Sequence, residues 1–474
     1  MSNEGHTSTK AHWRLRPGEQ RTLLFAGDFF FAWVAFVIAV YFWASAMTFS
    51  TQPVIVFAQQ RLETWFYLLP VIWMILLMDT YDRRTSSDFR RTLKAIGISA
   101  LVGGVLYLVV YFTSDTLLPR RGVAIFLGAA AGLTLLWRFS YIQIFSTTRF
   151  MHRVFLVGAG ETGQALLKVL ENIEQPFILA GLIDDELSKI GQKFFGFEVI
   201  GSSENLISLA VQENVTELIV AISGKIIPET FETLLEAQQR GILITRMPVA
   251  YEELIERVPV EHLEADWIMR SFVDEARESS FYTIAKRIVD ILAGLVGALS
   301  LVVIGPLVSL AILIESGRPV VFEQTRAGKG GRPFRILKFR SMKLHTEKGE
   351  RPTLTSENDD RVTPLGKFLR KTHLDEWLQF INVLRGDMSL VGPRPELPEY
   401  VDHFQQHIPF YRARLLVKPG VTGWAQVHIK YAANIEEMIV KLEYDLYYIK
   451  HRTFWMDLLI LLRTAAAVFG FRGR

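Results

Sequence analysis

Four apolar stretches follow one another in the first third of the chain, roughly 23 to 49, 62 to 78, 93 to 112 and 123 to 144. Each approaches the ~20 residues that a helix needs to cross a bilayer. The pattern predicts a four-helix transmembrane bundle over 23–148, after a polar tail at 1–22. Trp33, Trp43, Trp65, Trp73 and Trp137 add aromatic residues of the kind that line interfaces. Basic residues sort to one side. Lys10, Arg14, Arg16 and Arg21 precede the first stretch, Arg83, Arg84, Arg90 and Arg91 separate the second from the third, and Arg149 and Arg153 follow the fourth. The other two connections carry only Arg61, and Arg120 with Arg121. Cytoplasmic loops hold the excess of Lys and Arg. Both ends of the bundle are therefore expected in the cytoplasm, and the protein in the cell's inner (plasma) membrane.

The period then changes. Short β-type runs alternate with helical patterns over 149–265, and the first run meets Gly158-x-Gly160-x-x-Gly163 before a helix. A second run ends at Asp184-Asp185, at the distance where a dinucleotide fold places its ribose-binding acid. This predicts a Rossmann-like α/β domain with a possible nucleotide turn at Gly158, Gly160, Gly163 and Asp184. A linker at 266–281 leads to a further long apolar run, 288 to 314, interrupted by Gly294, Gly297 and Gly305-Pro306. Lys286 and Arg287 precede it, and Arg318, Arg326, Lys329, Arg332, Arg335, Lys338 and Arg340 follow it. Both flanks favour the cytoplasm, and proline in mid-helix removes a hydrogen bond. The expectation is a re-entrant membrane helix over 282–316 that breaks near Gly305 and Pro306 and returns to its own side. Lys286, Arg287 and Asp290 would hold its start at headgroup level. A mainly α catalytic domain then fills 317–474.

Composition narrows the classes. Half of the residues are hydrophobic, mean hydropathy is +0.22, and the net charge of +3 is too small to argue for nucleic acid as a partner. Cysteine is absent, which excludes disulfides and thiolate chemistry. No cleavable signal peptide is evident.

Candidate chemistry concentrates between Arg370 and Glu396, where the acid pair Asp375-Glu376 lies between Arg370 and Arg394, the latter in Gly392-Pro-Arg-Pro395. Upstream, the run 333 to 342 alternates basic and apolar residues, as a strand with one charged face would, with Lys338 and Arg340 on the same side. Acids flanked by fixed cations suit a site that holds a metal and phosphates. Lys286-Arg287-x-x-Asp290, Lys338-Phe-Arg-Ser-Met342, Leu374-Asp-Glu376, Gly392-Pro-Arg-Pro395 and Pro419-Gly-Val-Thr-Gly-Trp-Ala-Gln426 together resemble the bacterial monotopic phosphoglycosyl transferases. The likeness is to the large polyprenyl-phosphate hexose-1-phosphate transferases that start exopolysaccharide chains. That resemblance implies Asp375 as nucleophile and metal ligand, Glu376 as its catalytic companion, and Mg2+ as cofactor. It implies phosphate or substrate contacts from Lys338, Arg340, Arg370, Arg394, Lys430, Asp445 and Asp457. It also implies a UDP-hexose donor, a polyprenyl phosphate acceptor and membrane association. A homodimer through the central domain is a further expectation. The chain departs from the family pattern with Gly305-Pro306 for Ser-Pro, His373 for a serine, and His428-Ile-Lys430-Tyr431 after the Gly-Trp-Ala-Gln motif. The last apolar helix, 453 to 470, reads as amphipathic and lying on the membrane surface.

Two spacings point elsewhere. His403-x-x-x-His407 has zinc-pair spacing but no following glutamate or third ligand. Tyr282-x-x-x-Lys286 matches a short-chain dehydrogenase pair, yet no second glycine-rich turn precedes it. A membrane-anchored NAD-dependent nucleotide-sugar dehydratase and a non-catalytic regulatory subunit are the alternative readings.

Overall fold

The computed structural model describes residues 17–47, 64–81, 89–113, 120–145, 152–173, 175, 177–263, 267–268, 270–274, 280–343, 361–429 and 434–468. They form two compact units, Met1–Thr245 and Arg246–Arg474.

In the first unit the apolar stretches become helices α1 (Pro17–Met47), α2 (Leu69–Leu76), α3 (Phe89–Thr113) and α4 (Arg120–Phe145). Three contain long apolar segments, Thr22–Ser45, Phe89–Leu108 and Arg120–Ile144, whereas the second expected span supplies only the short helix Trp65–Leu76. Three-ten turns, Thr64–Leu68 and Met78–Tyr81, extend α2 at both ends. Such turns rise about 2.0 Å per residue against 1.5 Å in an α-helix, so they lengthen the segment. It runs antiparallel to α1. Phe66 meets Trp43 at 5.5 Å between ring centroids, while the Tyr81 hydroxyl donates to Asp28 at 2.8 Å. Those two levels of α1 lie roughly 22 Å apart at 1.5 Å per residue.

Asp28 carries the polar core of the bundle. It is buried, and Arg138 of α4 donates to it from Nη2 at 2.7 Å and from Nε at 3.1 Å. Arg138 Nη1 donates to the Thr80 carbonyl at 3.0 Å, and the guanidinium stacks over Tyr81. One ion pair thus ties α1, α4 and the end of the second segment at a single depth. In hydrocarbon an unpaired charge is costly, so the pair holds only as a set.

The rest of this unit is a six-stranded sheet. Its strands are β1 (His152–Val157), β2 (Phe177–Ile183), β3 (Lys193–Phe194), β4 (Phe197–Gly201), β5 (Glu217–Val220) and β6 (Leu243–Arg246), in the order β3-β4-β2-β1-β5-β6. Strand β1 pairs in parallel with both β2 and β5. Helices α5 (Glu161–Glu171), α6 (Leu206–Gln212) and α7 (Pro228–Gln239) connect the strands. The parallel order with strand reversal beside β1 is Rossmann-like. The protein is therefore a membrane protein with a Rossmann-like domain.

The second unit opens with α8 (Met247–Ile255) and continues with the 37-residue α9 (Ser280–Ser316). Helix α9 runs through Gly305-Pro306 without a non-helical residue, so the expected break at this pair is not a chain interruption. Proline forfeits one hydrogen bond there and nothing more is unwound. The other glycines in this run are packing positions. A Cβ on Gly297 would lie 2.2 Å from the Phe380 ring, and one on Gly294 would lie 2.8 Å from Leu384. Opposite this contact α9 exposes Ile288, Leu292, Leu299, Val303, Leu310 and Ile314, the last at 78%.

After α9 come the antiparallel hairpin β7 (Val321–Ala327) and β8 (Pro333–Phe339), then α10 (Pro364–Lys371) and α11 (Gln379–Arg385). Strand β9 (Ser389–Val391) pairs in parallel with β10 (Gly420–Thr422). Helices α12 (Pro398–His407), α13 (Trp424–His428), α14 (Ile435–His451) and α15 (Phe454–Val468) complete the unit. Its core gathers Val383, Met388, Tyr411, Trp424, Leu446 and Tyr448.

Arg138→Ala leaves Asp28 buried without a counter-charge and should cost about 3–5 kcal/mol. The double variant Asp28→Ala/Arg138→Ala should recover part of that loss. Thermal unfolding in detergent checks both, and an unchanged melting temperature for Arg138→Ala would contradict the clamp.

Candidate active site

The acid pair sits where three pieces of the second unit converge. Thr363 caps α10 by accepting from Gly366 N at 2.9 Å, and Pro364 fits the first helical turn, where its missing N–H costs nothing. After α10 the chain reverses at His373, which has a left-handed backbone with φ 58°. Leu374–Glu376 then forms a three-ten turn rather than an α-helix. At three residues per turn its successive side chains diverge by about 120°, which sends Asp375 and Glu376 into different surroundings.

Glu376 is fully engaged. Its Oε1 accepts from Lys338 Nζ at 2.6 Å and from Arg394 Nη2 at 2.8 Å. Burial opposes its ionisation, but Arg394 and Lys338 outweigh burial and hold the carboxyl far below its ordinary range. Burial lowers the Lys338 ammonium, with Glu376 opposing that shift, while Glu376 raises Arg394. Asp375 is the opposite case. It is 8% exposed, and no described residue donates a hydrogen bond to its carboxylate. Burial raises its pKa, the neighbouring Glu376 adds to that, and Lys338, Arg370 and His373 pull the other way. One carboxylate is thus locked as a counter-ion, and the other is left with both oxygens open.

The remaining expected site residues divide. Arg370 donates to Ser341 Oγ at 3.2 Å and acts on Asp375 through its charge. Arg340 is not with them. Its Nη2 donates to the Ser316 and Gly317 carbonyls, each at 2.7 Å, and so closes the C-terminal end of α9. Asp445 is buried against Arg414 at 2.7 Å, and Arg414 also donates to the Arg394 carbonyl at 3.0 Å. Asp445 therefore stands behind Arg394. Asp457 accepts from Lys286 at 2.7 Å, Tyr448 at 2.8 Å and Tyr282 at 3.0 Å. This fastens the start of α9 to α14 and α15, and it gives the Tyr282-Lys286 spacing a structural use. Asp290 accepts from Ser389 Oγ at 3.0 Å and from Leu390 N at 2.9 Å. Arg287 donates to the Val383 and Leu384 carbonyls at the end of α11. Lys430 lies outside the described residues. His403 and His407 are both exposed on α12, and among the described residues no group of three His, Cys, Asp or Glu could hold a metal ion.

Sequence reasoning missed the set behind Arg394. Glu396 accepts from Lys441 at 2.6 Å and lies 3.7 Å from Arg414 and 3.8 Å from Arg326. Burial opposes its charge, yet Lys441, Arg414 and Arg326 hold it down at about 2. Asn382, buried, bonds both Leu337 N and the Arg335 carbonyl and so fixes β8, which carries Lys338. Asn382 left one local signal, a polar residue inside the apolar stretch 380 to 384, and Glu396 left none beyond its place after Gly392-Pro-Arg-Pro395.

In the Rossmann-like domain, Gly158 has φ 104° and Gly163 lets α5 approach β1 closely. The Asp184 oxygens accept from Ala159 N at 2.7 Å, Glu186 N at 2.9 Å and Lys189 Nζ at 3.3 and 3.4 Å. The acid that would take ribose hydroxyls is already saturated by its own loops.

Residues 281–471 match the bacterial sugar transferase family, and residues 76–229 match a CoA-binding domain. A UDP-N-acetylgalactosamine-undecaprenyl-phosphate N-acetylgalactosaminephosphotransferase of Aeromonas hydrophila is 42% identical over 227 residues, 47% of this chain and 52% of that protein. A UDP-glucose:undecaprenyl-phosphate glucose-1-phosphate transferase of Caulobacter vibrioides is 43% identical over 188 residues, 39% of this chain and 69% of that protein. An undecaprenyl-phosphate glucose phosphotransferase of Komagataeibacter xylinus is 30% identical over 326 residues, 67% of this chain and 59% of that protein. The chain spans about half the length of the curated relatives it matches, 52% for the Aeromonas protein and 44% for a Xanthomonas campestris one. The asymmetric acid pair, its cations and the motifs that carry them all fall inside the matched region, and the chain belongs to the bacterial sugar transferase family.

Proposed function

We propose that this protein transfers a hexose-1-phosphate from a UDP-sugar to polyprenyl (undecaprenyl) phosphate and releases UMP, as the first membrane step of exopolysaccharide synthesis. The observation that carries this reading is the unequal pair: Asp375 open, Glu376 clamped by Lys338 and Arg394. An Asp375 oxygen attacks the sugar-linked phosphorus of the donor. The bond from that phosphorus to the UMP oxygen breaks, and UMP leaves with the electron pair. A phosphate oxygen of the lipid then attacks the same phosphorus, the bond to Asp375 breaks, and polyprenyl diphosphate sugar departs. Phosphoryl transfer depends on positioning and on charge stabilisation. Lys338, Arg394 and Arg370 supply that charge, while Glu376 sets where the first two point.

Mg2+ fits this site in one mode. It is commonly held by one or two carboxylates together with substrate phosphates, and Asp375 is the carboxylate of the pair with oxygens not bound by a cation. When bound, the ion would neutralise diphosphate charge next to an anionic nucleophile.

Helix α9 is read as re-entrant, with the catalytic unit and the bundle's ends in the cytoplasm. Supporting this, both ends of α9 are fastened to the same unit. Lys286 and Asp290 bind Asp457 and β9 near its start, and Ser300 accepts from Trp377 at 2.8 Å midway. At its far end Arg340 holds Ser316, and Glu315 accepts from Leu365 N at 2.8 Å. That one unit holds both ends of α9 supports a helix that returns to its own side. The relatives' names include N-acetylgalactosamine, glucose and galactosyl transferases, which supports a donor that is a UDP-hexose or its N-acetyl derivative.

Purified protein with magnesium, polyprenyl phosphate and a panel of UDP-sugars should release UMP, and Asp375→Asn should lower the rate by roughly 10³-fold or more. Full turnover in that variant would remove Asp375 from the mechanism. A second outcome concerns pH. The nucleophile must be ionised, and burial and then Glu376 raise its pKa from the ordinary aspartate range. Glu376→Gln removes the repulsion and frees two cations, so the acid limb of kcat/KM should move to lower pH in that variant. A limb that stays put would assign it to another group.

A further inference from the structure

The segment that carries Arg394 is held from outside. In Gly392-Pro-Arg-Pro-Glu396, Pro393 and Pro395 have no N–H to donate. Its carbonyls are gripped instead. Gly420 N donates to the Pro393 carbonyl and Ala327 N to the Glu396 carbonyl, each at 2.9 Å. Between them, Arg414 Nη2 donates to the Arg394 carbonyl at 3.0 Å and Arg326 Nη1 to the Pro395 carbonyl at 3.2 Å. Two arginines, one from β7 and one from the three-ten turn Tyr411–Leu416, thus fix the peptide units beside the Arg394 side chain.

Guanidiniums packed against neutral carbonyls still need a counter-charge. The Glu396 carboxylate lies 3.7 Å from Arg414 Nη1, 3.8 Å from Arg326 Nη1 and 2.6 Å from Lys441 Nζ. Arg414 has a second carboxylate, Asp445, at 2.7 Å. Arg326 is paired with no other carboxylate among the described residues. Its Nη2 goes to the neutral Gln324 amide at 2.6 Å, and its Nε is buried without an acceptor. Burial lowers the Arg326 guanidinium, and Glu396 is the group that most opposes this.

Arg394 points elsewhere. Its Nη2 donates to Glu376 at 2.8 Å, and its side chain is 41% exposed, which leaves guanidinium surface for a ligand. Two residues on, Glu396 reaches α14 rather than the acid pair. We infer that Glu396 is a positioning residue for the transfer: it neutralises Arg326 and Arg414, which fix the 394 and 395 carbonyls, and so aims Arg394 at both Glu376 and the donor's diphosphate. This role rests on the proposed function, in which Arg394 bears on the phosphates. With the Glu396 charge removed, Arg326 is a cation without a counter-ion, and it leaves the Pro395 carbonyl for water. A misplacement of about 1 Å in such a group can cost roughly 10²-fold in rate.

The test is a double-variant cycle on the full-length protein, read by UMP release. Glu396→Gln should lower kcat/KM by roughly 10- to 10²-fold, and Glu396→Asp, which keeps the charge, should recover most of that. In an Arg394→Ala background the same Glu396→Gln change should cost less than roughly threefold, because a residue that acts through Arg394 then has nothing to aim. If Arg394→Ala turns over too slowly to follow, the cycle is read on binding of the UDP-sugar that the wild type uses, in Asp375→Asn protein. Far-ultraviolet circular dichroism checks that the variants remain folded. An equal loss with and without Arg394 would make Glu396 merely structural and overturn the inference. Full activity in Glu396→Gln, beside a large loss in Arg394→Ala, would overturn it and leave the proposed function standing. No UMP release by the wild type with any UDP-sugar would remove the proposed function, and the positioning role with it.

Discussion

Two adjacent carboxylates are buried in this unit, and only one of them is neutralised. Burying an unpaired carboxylate is expensive, and a buried pair repels itself. The solution is uneven: Glu376 takes two cations at 2.6 and 2.8 Å, and Asp375 takes none. Those cations come from Lys338 on β8 and Arg394 after β9, 38 and 18 residues away. The acid pair is therefore a folding constraint. Strand β8 must be fixed, which Asn382 does from α11, and Arg394 must be fixed, which Arg414 does through its carbonyl.

Helix α9 supplies the second constraint. Its glycines admit Phe380 and Leu384 of α11, so the same short helix meets the membrane segment on one face and steadies β8 through Asn382. The end of α9 is closed by Arg340, two residues beyond Lys338 on the chain. Lys338, in β8, thus reaches the acid pair, and Arg340, just past the end of the strand, reaches the end of α9. The end of α9 and the geometry at the site are held by residues two apart on the chain.

Much of this was legible in the sequence, because it lay in local patterns. The apolar runs, the strand–glycine–helix order at 154–170, and the sequence Asp375-Glu376 between arginines are all short-range signals. What stayed hidden was pairing across distance. Asp28 sits inside an apolar run, and its partner Arg138 lies 110 residues on. Nothing local joins Asp445 to Arg414, or tells that Arg340 caps a helix while Lys338 holds an acid. The second stretch, read as 62 to 78, is a short helix between three-ten turns, which cover distance with fewer residues. Asp184 stands at the position a ribose-binding acid would occupy, yet its oxygens are taken by Ala159, Glu186 and Lys189. Motif spacing cannot show which acceptors are already filled.

The central claim is that the two acids have different fates, with Asp375 forming a bond and Glu376 holding cations. Its most direct test is peptide mass spectrometry of the full-length protein mixed with UDP-sugar and magnesium, without lipid acceptor. A hexose-phosphate adduct on Asp375, lost on adding polyprenyl phosphate and absent from Asp375→Asn, is the predicted result. An adduct on Glu376, or UMP release in the presence of acceptor from a protein that never carries one, would contradict it.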